Sequence, residues 1–310
     1  MNEGSYEVVI IGGGPAGLAA GIYAGRAKLK TLLLEKSAIG GQLALADVVE
    51  NYPGVQEVKG VELARRMEEQ ARKFGVEIRF DEARSVESEG GWKKVVCAGG
   101  TYLARAVIVA SGASPAKLNV KGERELLGRG VSYCATCDGF FFSGKDVMVV
   151  GGGDAALTEA QYLSKLAKKV YLVHRRDEFR GEKINQEKVL SNPKITIMWN
   201  TVVQEIIGRG KVEKVSVKDV KTGEEREVLV DGVFIAVGRK PNTEFLSLEK
   251  DELGYVKVNE NMETSVEGVF AAGDCASNKW RQVATAVGEG AKAAISAEKY
   301  LEASPRGETL

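Results

Sequence analysis

Tyr6-Glu7-Val8-Val9-Ile10-Ile11-Gly12-Gly13-Gly14-Pro15-Ala16-Gly17 is the stretch that decides the fold. Tyr6 to Ile11 has the length and apolarity of a short buried strand, and an Ala-rich helical stretch follows the glycines to about Lys28. Thr31 to Leu34 reads as the next strand, closed by Glu35. These are the parts of a dinucleotide-binding βαβ unit: Gly12 makes the tight turn, Gly14 lets a pyrophosphate approach, and Gly17 packs helix on strand. The helix start then offers free N–H groups and a positive dipole end to the phosphates. A purely structural turn is the competing reading, and the two strands, the helix and the terminal acid together weigh against it.

The same pattern returns at Asp146 to Val150, Gly151-Gly152-Gly153-Asp154-Ala155-Ala156, a helix to about Ala167 and the strand Val170 to Val173. Two dinucleotides are therefore expected. Glu35 lies 23 residues after Gly12, and the residue 23 after Gly151 is His174, followed by Arg175 and Arg176. A carboxylate there accepts bonds from both ribose hydroxyls and repels a 2′-phosphate, whereas cations pair with that phosphate. The first site is expected to take FAD or NAD and the second NADPH, with Arg180 as a third contact. Two charge-assisted bonds at about 1.5–3 kcal/mol each favour NADPH over NADH by roughly a hundredfold or more. A solvated basic turn is the alternative reading of this cluster.

Ala106 to Ser111 before Gly112, and Gly232 to Val237 before Gly238, read as matching closing strands of the two halves. Lys93 to Cys97 and Lys211 to Val230, with the turn Thr222-Gly223, read as small antiparallel additions. The expected architecture is α/β: two Rossmann-like domains of three-layer ββα type, the second inserted into the first. The boundaries fall at residues 1–115, 116–244 and 245–310, the chain returning to the first domain at Val269-Phe270-Ala271-Ala272-Gly273-Asp274.

A chain of 310 residues exceeds what one core usually organises, in keeping with two domains. Its 43 basic and 43 acidic residues cancel, so the charge footprint of a nucleic-acid or membrane-surface binder is missing. The apolar run ending at Ile11 is far shorter than a signal-peptide core or a membrane span, which makes the cytoplasm the expected location. Four cysteines are too few for a disulfide scaffold, and two of them form a single CxxC at Cys134 and Cys137.

In a CxxC the sulfurs can close a small disulfide ring, and the surroundings can lower a thiol pKa enough to free a thiolate. A structural zinc needs a second close pair of ligands, which Cys97 and Cys275 do not supply, so no metal is expected. Between NADPH, a hydride donor, and a disulfide, a flavin can serve both ends. His174 is the only histidine, which leaves Asp138 beside the CxxC as the candidate general acid. The alternative for Asp138 is a cap on the turn before Gly139.

These residues resemble the low-molecular-weight thioredoxin reductases, and the likeness runs through essentially the whole chain. It is carried by Gly12 to Gly17, Gly40-Gly41-Gln42-Leu43 with Glu50-Asn51-Tyr52-Pro53-Gly54, Cys134 to Asp138 with Gly139-Phe140-Phe141, Gly151 to Ala156, His174-Arg175-Arg176 with Arg180, and Gly273-Asp274 with Arg281-Gln282. The resemblance implies that Glu35, Gln42, Asn51, Asp274 and Gln282 contact FAD, in a site completed by Gly12, Gly14, Pro15, Ala16, Gly17, Gly41, Leu43, Gly112, Gly273, Arg281 and Val283. For NADPH it implies Gly151, Gly153, Asp154, Ala155, Ala156, His174, Arg175, Arg176 and Arg180. It further implies that Cys137 lies against the flavin, that Cys134 attacks the partner disulfide and that Asp138 is the acid. A homodimer is implied too, with an inserted domain that swings on connections near Ser114 to Leu118 and Lys240 to Glu244.

One departure is Leu157-Thr158, where many relatives have valine and glutamate. The expected reaction is NADPH-dependent reduction of the disulfide of thioredoxin or a thioredoxin- or glutaredoxin-like protein, with a mixed disulfide on Cys134 resolved by Cys137. Two rivals stand beside it: a ferredoxin- or flavodoxin-NADP reductase in which the cysteines are incidental, and a non-catalytic redox sensor.

Overall fold

The computed structural model describes residues 2–46, 49–276 and 280–303. The chain divides into two compact units, Met1–Ser114 with Lys240–Leu310, and Pro115–Arg239.

The first unit begins β1 (Asn2–Ile11), α1 (Pro15–Arg26), β2 (Thr31–Glu35), a 3-10 turn (Gly41–Leu45), α2 (Gly60–Lys73) and β3 (Glu77–Phe80). A meander of β4 (Ala83–Glu89) and β5 (Trp92–Cys97) follows and leads into β6 (Thr101–Val109). The crossing into the second unit passes through β7 (Ala113–Pro115) and β8 (Val131–Ser132) to the short helix α3 (Ala135–Asp138) and a 3-10 turn (Gly139–Phe142). Next come β9 (Asp146–Val150), α4 (Asp154–Leu166), β10 (Lys169–Val173), α5 (Lys183–Leu190) and β11 (Ile195–Met198). The unit is completed by the meander β12 (Thr201–Ile207), β13 (Lys214–Asp219) and β14 (Glu225–Leu229), then β15 (Gly232–Ile235), after which β16 (Arg239–Pro241) leads the chain back to the first unit. The return supplies β17 (Val269–Ala271) and the long helix α6 (Val283–Ala303).

In the first unit the sheet runs β3-β2-β1-β6-β5-β4. Strand β6 belongs to two layers: Thr101 to Ala104 pairs antiparallel with β5, while Val107 to Val109 pairs parallel with β17. In the second unit the parallel sheet β11-β10-β9-β15-β8 and the antiparallel meander β12-β13-β14 are separate.

Alternation along the central strands explains the layers, because successive side chains of a strand point to opposite faces. Val8, Ile10, Ala106 and Ile108 pack on the helix side, among Leu18, Leu63 and Ala293, while Val9, Ile11, Val107 and Val109 join Val95 and Tyr102 of the meander side. The second unit repeats this. Val147, Val149 and Phe234 pack against Leu157 and Leu163 of α4, and Met148, Val150, Val233 and Ile235 pack against Val203, Val215 and Val217 of the meander. Burying each Val, Leu or Phe in this way contributes about 1.5–3 kcal/mol. Strands clad on both faces read as unbroken apolar runs, and this is why β1 and β9 stand out in the sequence.

Candidate redox-active site

At the first glycine turn the backbone closes on itself. A Cβ on Gly17 would lie 1.8 Å from Gly12 O, and one on Gly12 would lie 2.2 Å from Ala110 O. Gly14 is the opposite case, with no atom within 4 Å of such a Cβ, so this face of the turn is open where a pyrophosphate would lie. Pro15 occupies the first position of α1, where its missing N–H costs nothing. The Gly13 N–H donates to Glu35 Oε2 at 2.8 Å, and the Ser37 N–H donates to Oε1 at 2.9 Å. The Ser37 hydroxyl donates to Oε1 as well, at 3.2 Å, so one acceptor position, on Oε2, remains on this buried carboxylate for a ribose hydroxyl.

Other residues expected at this site gather around the turn. The Gly40 N–H donates to Gly13 O at 2.8 Å, and a Cβ on Gly41 would meet Gly14 Cα at 3.5 Å. Leu43 is buried beneath them, and Ala16 approaches Gly273 so closely that a Cβ there would be 2.9 Å from its methyl. Asn51 Nδ2 donates to Gln282 Oε1 at 3.1 Å, and Arg281 donates to the Tyr255 hydroxyl at 2.6 Å. One member escaped the sequence reading: Glu289, on α6, accepts the Gly273 N–H at 2.7 Å. Burial pushes its carboxyl pKa up. Its sequence signal is slight, a lone acid between Gly288 and Gly290 in a small-residue helix.

The second turn has the same construction. Gly153 is open, like Gly14, while a Cβ on Gly151 would sit 2.3 Å from Ala236 O. Ala156 is buried and Ala155 is exposed. The Arg180 N–H donates to Gly152 O at 2.8 Å, which ties the arginine loop to the glycine turn. Arg175, Arg176 and Arg180 are all exposed. Asp154, exposed at the first position of α4, reaches across to the start of α5, Oδ1 accepting from the Glu182 N–H at 2.7 Å and from Asn185 Nδ2 at 3.1 Å.

His174 corrects the expectation that the whole cluster is cationic. It is only 4% exposed, and a Cβ on Gly152 would fall 2.2 Å from its Nδ1. Phe179 and Trp199 flank the ring at centroid distances of 5.7 and 6.2 Å. Burial foremost, with Arg180, Arg176 and Arg175 nearby, holds its pKa below the ordinary 6.5. The ring is therefore a neutral wedge beneath the turn, and the positive charge belongs to the arginines.

Cys134 and Cys137 form a disulfide at the start of α3. The Cys137 N–H points at Cys134 Sγ at 3.2 Å, and Cys134 is half-buried while Cys137 is exposed. Ser132, a buried residue absent from the sequence expectations, organises the neighbourhood. Its Oγ accepts the Cys134 N–H at 3.0 Å and donates to Asp138 Oδ2 at 2.6 Å. Phe142 packs edge-on against Phe234, whereas Phe140 and Phe141 are 75% and 69% exposed beside the pair, an apolar surface at its rim. Burial raises the Cys97 thiol to about 12 and the Cys275 thiol to about 11, so neither supplies thiolate near neutrality. Among the described residues no group of three or more His, Cys, Asp or Glu could hold a metal ion.

Two ββα units with open glycine turns, one of them carrying a CxxC disulfide, define an oxidoreductase that moves electrons between nucleotides and a disulfide. Residues 6–290 match the family model described as pyridine nucleotide-disulphide oxidoreductase, and the chain belongs to that family, among its low-molecular-weight thioredoxin reductases. It is 49% identical over 309 residues to a thioredoxin reductase of Peptoclostridium litorale, covering 97% of this chain and 98% of that one. It is also 47% identical to the thioredoxin reductase of Bacillus subtilis, with 97% and 96% covered. The crystal structure of Lactococcus lactis thioredoxin reductase superposes with a TM-score of 0.92 at 41% identity, covering 96% of this chain and 99% of that one. The family implies a flavin and a pyridine nucleotide, and the open faces at Gly14 and Gly153 fit both. Among the described residues no helix is long and apolar enough to cross a membrane.

Proposed function

We propose that the chain is an NADPH-dependent thioredoxin-disulfide reductase. The observation that carries this reading is the Cys134–Cys137 disulfide built into the unit that also bears the Gly151 turn and the arginines. FAD would be held by residues 1–115 and 245–310, NADPH by 116–244. When bound, FAD supplies a two-electron carrier between the hydride of NADPH and the sulfurs.

For FAD, the assignment uses Gly12, Gly14, Pro15, Ala16 and Gly17 at the pyrophosphate and Glu35 at the ribose. Gly41, Gln42, Leu43, Asn51, Gly112, Gly273, Asp274, Arg281, Gln282 and Val283 close the site. For NADPH, Gly151, Gly153, Asp154, Ala155 and Ala156 form the phosphate turn above the His174 wedge, and Arg175, Arg176 and Arg180 pair with the 2′-phosphate.

Reduction of the pair gives two thiols at the cost of two electrons and two protons. Cys134 then loses its proton and attacks one sulfur of the partner disulfide, forming a mixed disulfide and releasing the partner's other sulfur as a thiolate. Cys137 attacks Cys134 Sγ, the cysteine pair closes again, and the partner leaves as a dithiol. Asp138, oriented by Ser132, passes the proton between Cys134 and solvent. The enzyme acts as a homodimer in the cytoplasm. In the test, Cys134→Ser keeps NADPH-dependent bleaching of the flavin and loses reduction of thioredoxin; retained reduction would remove Cys134 from the exchange.

A further inference from the structure

Glu159 lies on α4, whose side packs against the CxxC helix α3. It is a half-buried residue with a fully enclosed Oε2 that has no hydrogen-bond partner. Its carboxyl takes a hydrogen bond from the backbone N–H of Ala135, the residue that follows Cys134. An enclosed carboxylate oxygen with nothing to accept from is costly when charged, so an acid placed this way needs a reason.

The surroundings offer little compensation. On the elements packed against α4, the titratable residues are Asp138 of α3 and Lys183, Glu187 and Lys188 of α5, while Asp146 of β9 and Lys169 and Tyr171 of β10 occupy the strand positions that alternate to the meander face, away from Val147, Val149, Val170 and Leu172. Only Arg239 pulls on the carboxyl, together with the Ala135 amide, and burial outweighs both. The result is a proton held up to about pH 7, where a dithiol enzyme works.

We propose that Glu159 is a positioning acid for the Cys134/Cys137 couple: it binds a proton when a thiolate forms on the reduced pair and releases it when the disulfide closes. The inference rests on the redox reading of the pair. Two electrons and one proton convert the disulfide into one thiol and one thiolate. A new negative charge on Cys134, the residue immediately before the amide that Glu159 accepts from, makes a second charge on Glu159 unfavourable, and the carboxyl takes one further proton from solvent. Conversely, a charged Glu159 holds the Cys134 thiol in its protonated form.

The test uses the flavin-loaded protein reduced with dithiothreitol and freed of excess reductant, so that neither NADPH nor thioredoxin enters. Alkylation of Cys134 by iodoacetamide is followed against pH, with the modified residue identified by mass. The buried Cys97 and Cys275 thiols do not compete. Wild type is expected to show two ionisations and Glu159→Gln one. For a thiol starting at the ordinary value of about 8.5, a pKa lower by about one unit gives the variant about threefold more thiolate at about pH 8, which weaker nucleophilicity nearly cancels, so the number of ionisations in the pH profile and not the rate at one pH carries the result. A structural defect alone would not remove one ionisation from the profile.

Should Glu159→Gln fail to fold, wild type alone decides. Its reduced-minus-oxidised infrared spectrum at about pH 8 should gain a protonated-carboxyl band that moves on heavy-carbon labelling of glutamate and not of aspartate. Superimposable alkylation profiles, or no glutamate band in wild type, would overturn the proposal. A reduced pair that iodoacetamide reaches at no pH would overturn the redox reading itself, and this inference with it.

Discussion

Ser132 and Asp138 share a 2.6 Å hydrogen bond that fixes the acid beside the disulfide, the serine hydroxyl donating to Oδ2 while its oxygen takes the Cys134 N–H. One buried hydroxyl thus ties the acid to the residue whose proton it is assigned to move. Ser132→Ala removes the orientation and leaves the Cys134 N–H without its acceptor, a loss of about 1–3 kcal/mol if that amide stays dry. The expected outcome is an about tenfold slower exchange with thioredoxin and a shifted pH profile, with flavin reduction by NADPH unchanged. Stopped-flow measurement of the two half-reactions checks it.

The glycines of the two turns make opposite demands. Gly17→Ala would drive a methyl into Gly12 O at 1.8 Å, and the variant should lose flavin and fold poorly. Gly153→Ala meets no protein atom within 4 Å, so it should fold with its flavin bound and raise KM for NADPH, because the methyl occupies the space left for the pyrophosphate. Flavin content and NADPH kinetics, measured on both variants, separate the two effects.

Arg175→Ala with Arg176→Ala should lower kcat/KM for NADPH by roughly a hundredfold and leave that for NADH nearly unchanged. Because His174 is held neutral by burial, the preference of wild type for NADPH should not change as pH rises through about 6.5, the ordinary histidine value. A preference that collapses across that range would return the charge to the histidine.

Glu159 also sets a stability slope. Its carboxyl is raised from 4.5 to about 7 in the folded protein, so the folded state binds the extra proton between those values. Its contribution is present in full below the lower value and is lost as pH rises to the upper one. His174 acts in the opposite sense, since its lowered pKa makes the unfolded chain the better proton binder below about 6.5. Thermal unfolding against pH should therefore show Glu159→Gln removing a decline towards pH 7, while the loss on the acid side due to His174 stays.

The glycine turns, their flanking strands and the position of the CxxC are legible in the sequence because each is local: period, turn chemistry and spacing lie within a few dozen residues. The double membership of β6 is not, since Thr101 to Ala104 and Val107 to Val109 look alike until β5 and β17 choose different halves. Glu289 and Gly273 meet only because α6 packs back on the turn Gly273–Cys275, and Glu159 meets Ala135 only because α4 packs on α3. His174 shows the limit most clearly. Its spacing from Gly151 marks the right position, and burial beneath Gly152, which spacing does not reveal, decides its charge.

An anaerobic titration of the purified protein with NADPH, followed by oxidised thioredoxin, tests the electron path most directly. The expected result is a yellow protein that bleaches on NADPH and regains its colour as thioredoxin is reduced, with Cys134→Ser bleaching and failing to pass the electrons on. A colourless protein that takes up no flavin, or a bleached one that wild-type cysteines do not reoxidise through thioredoxin, would contradict it.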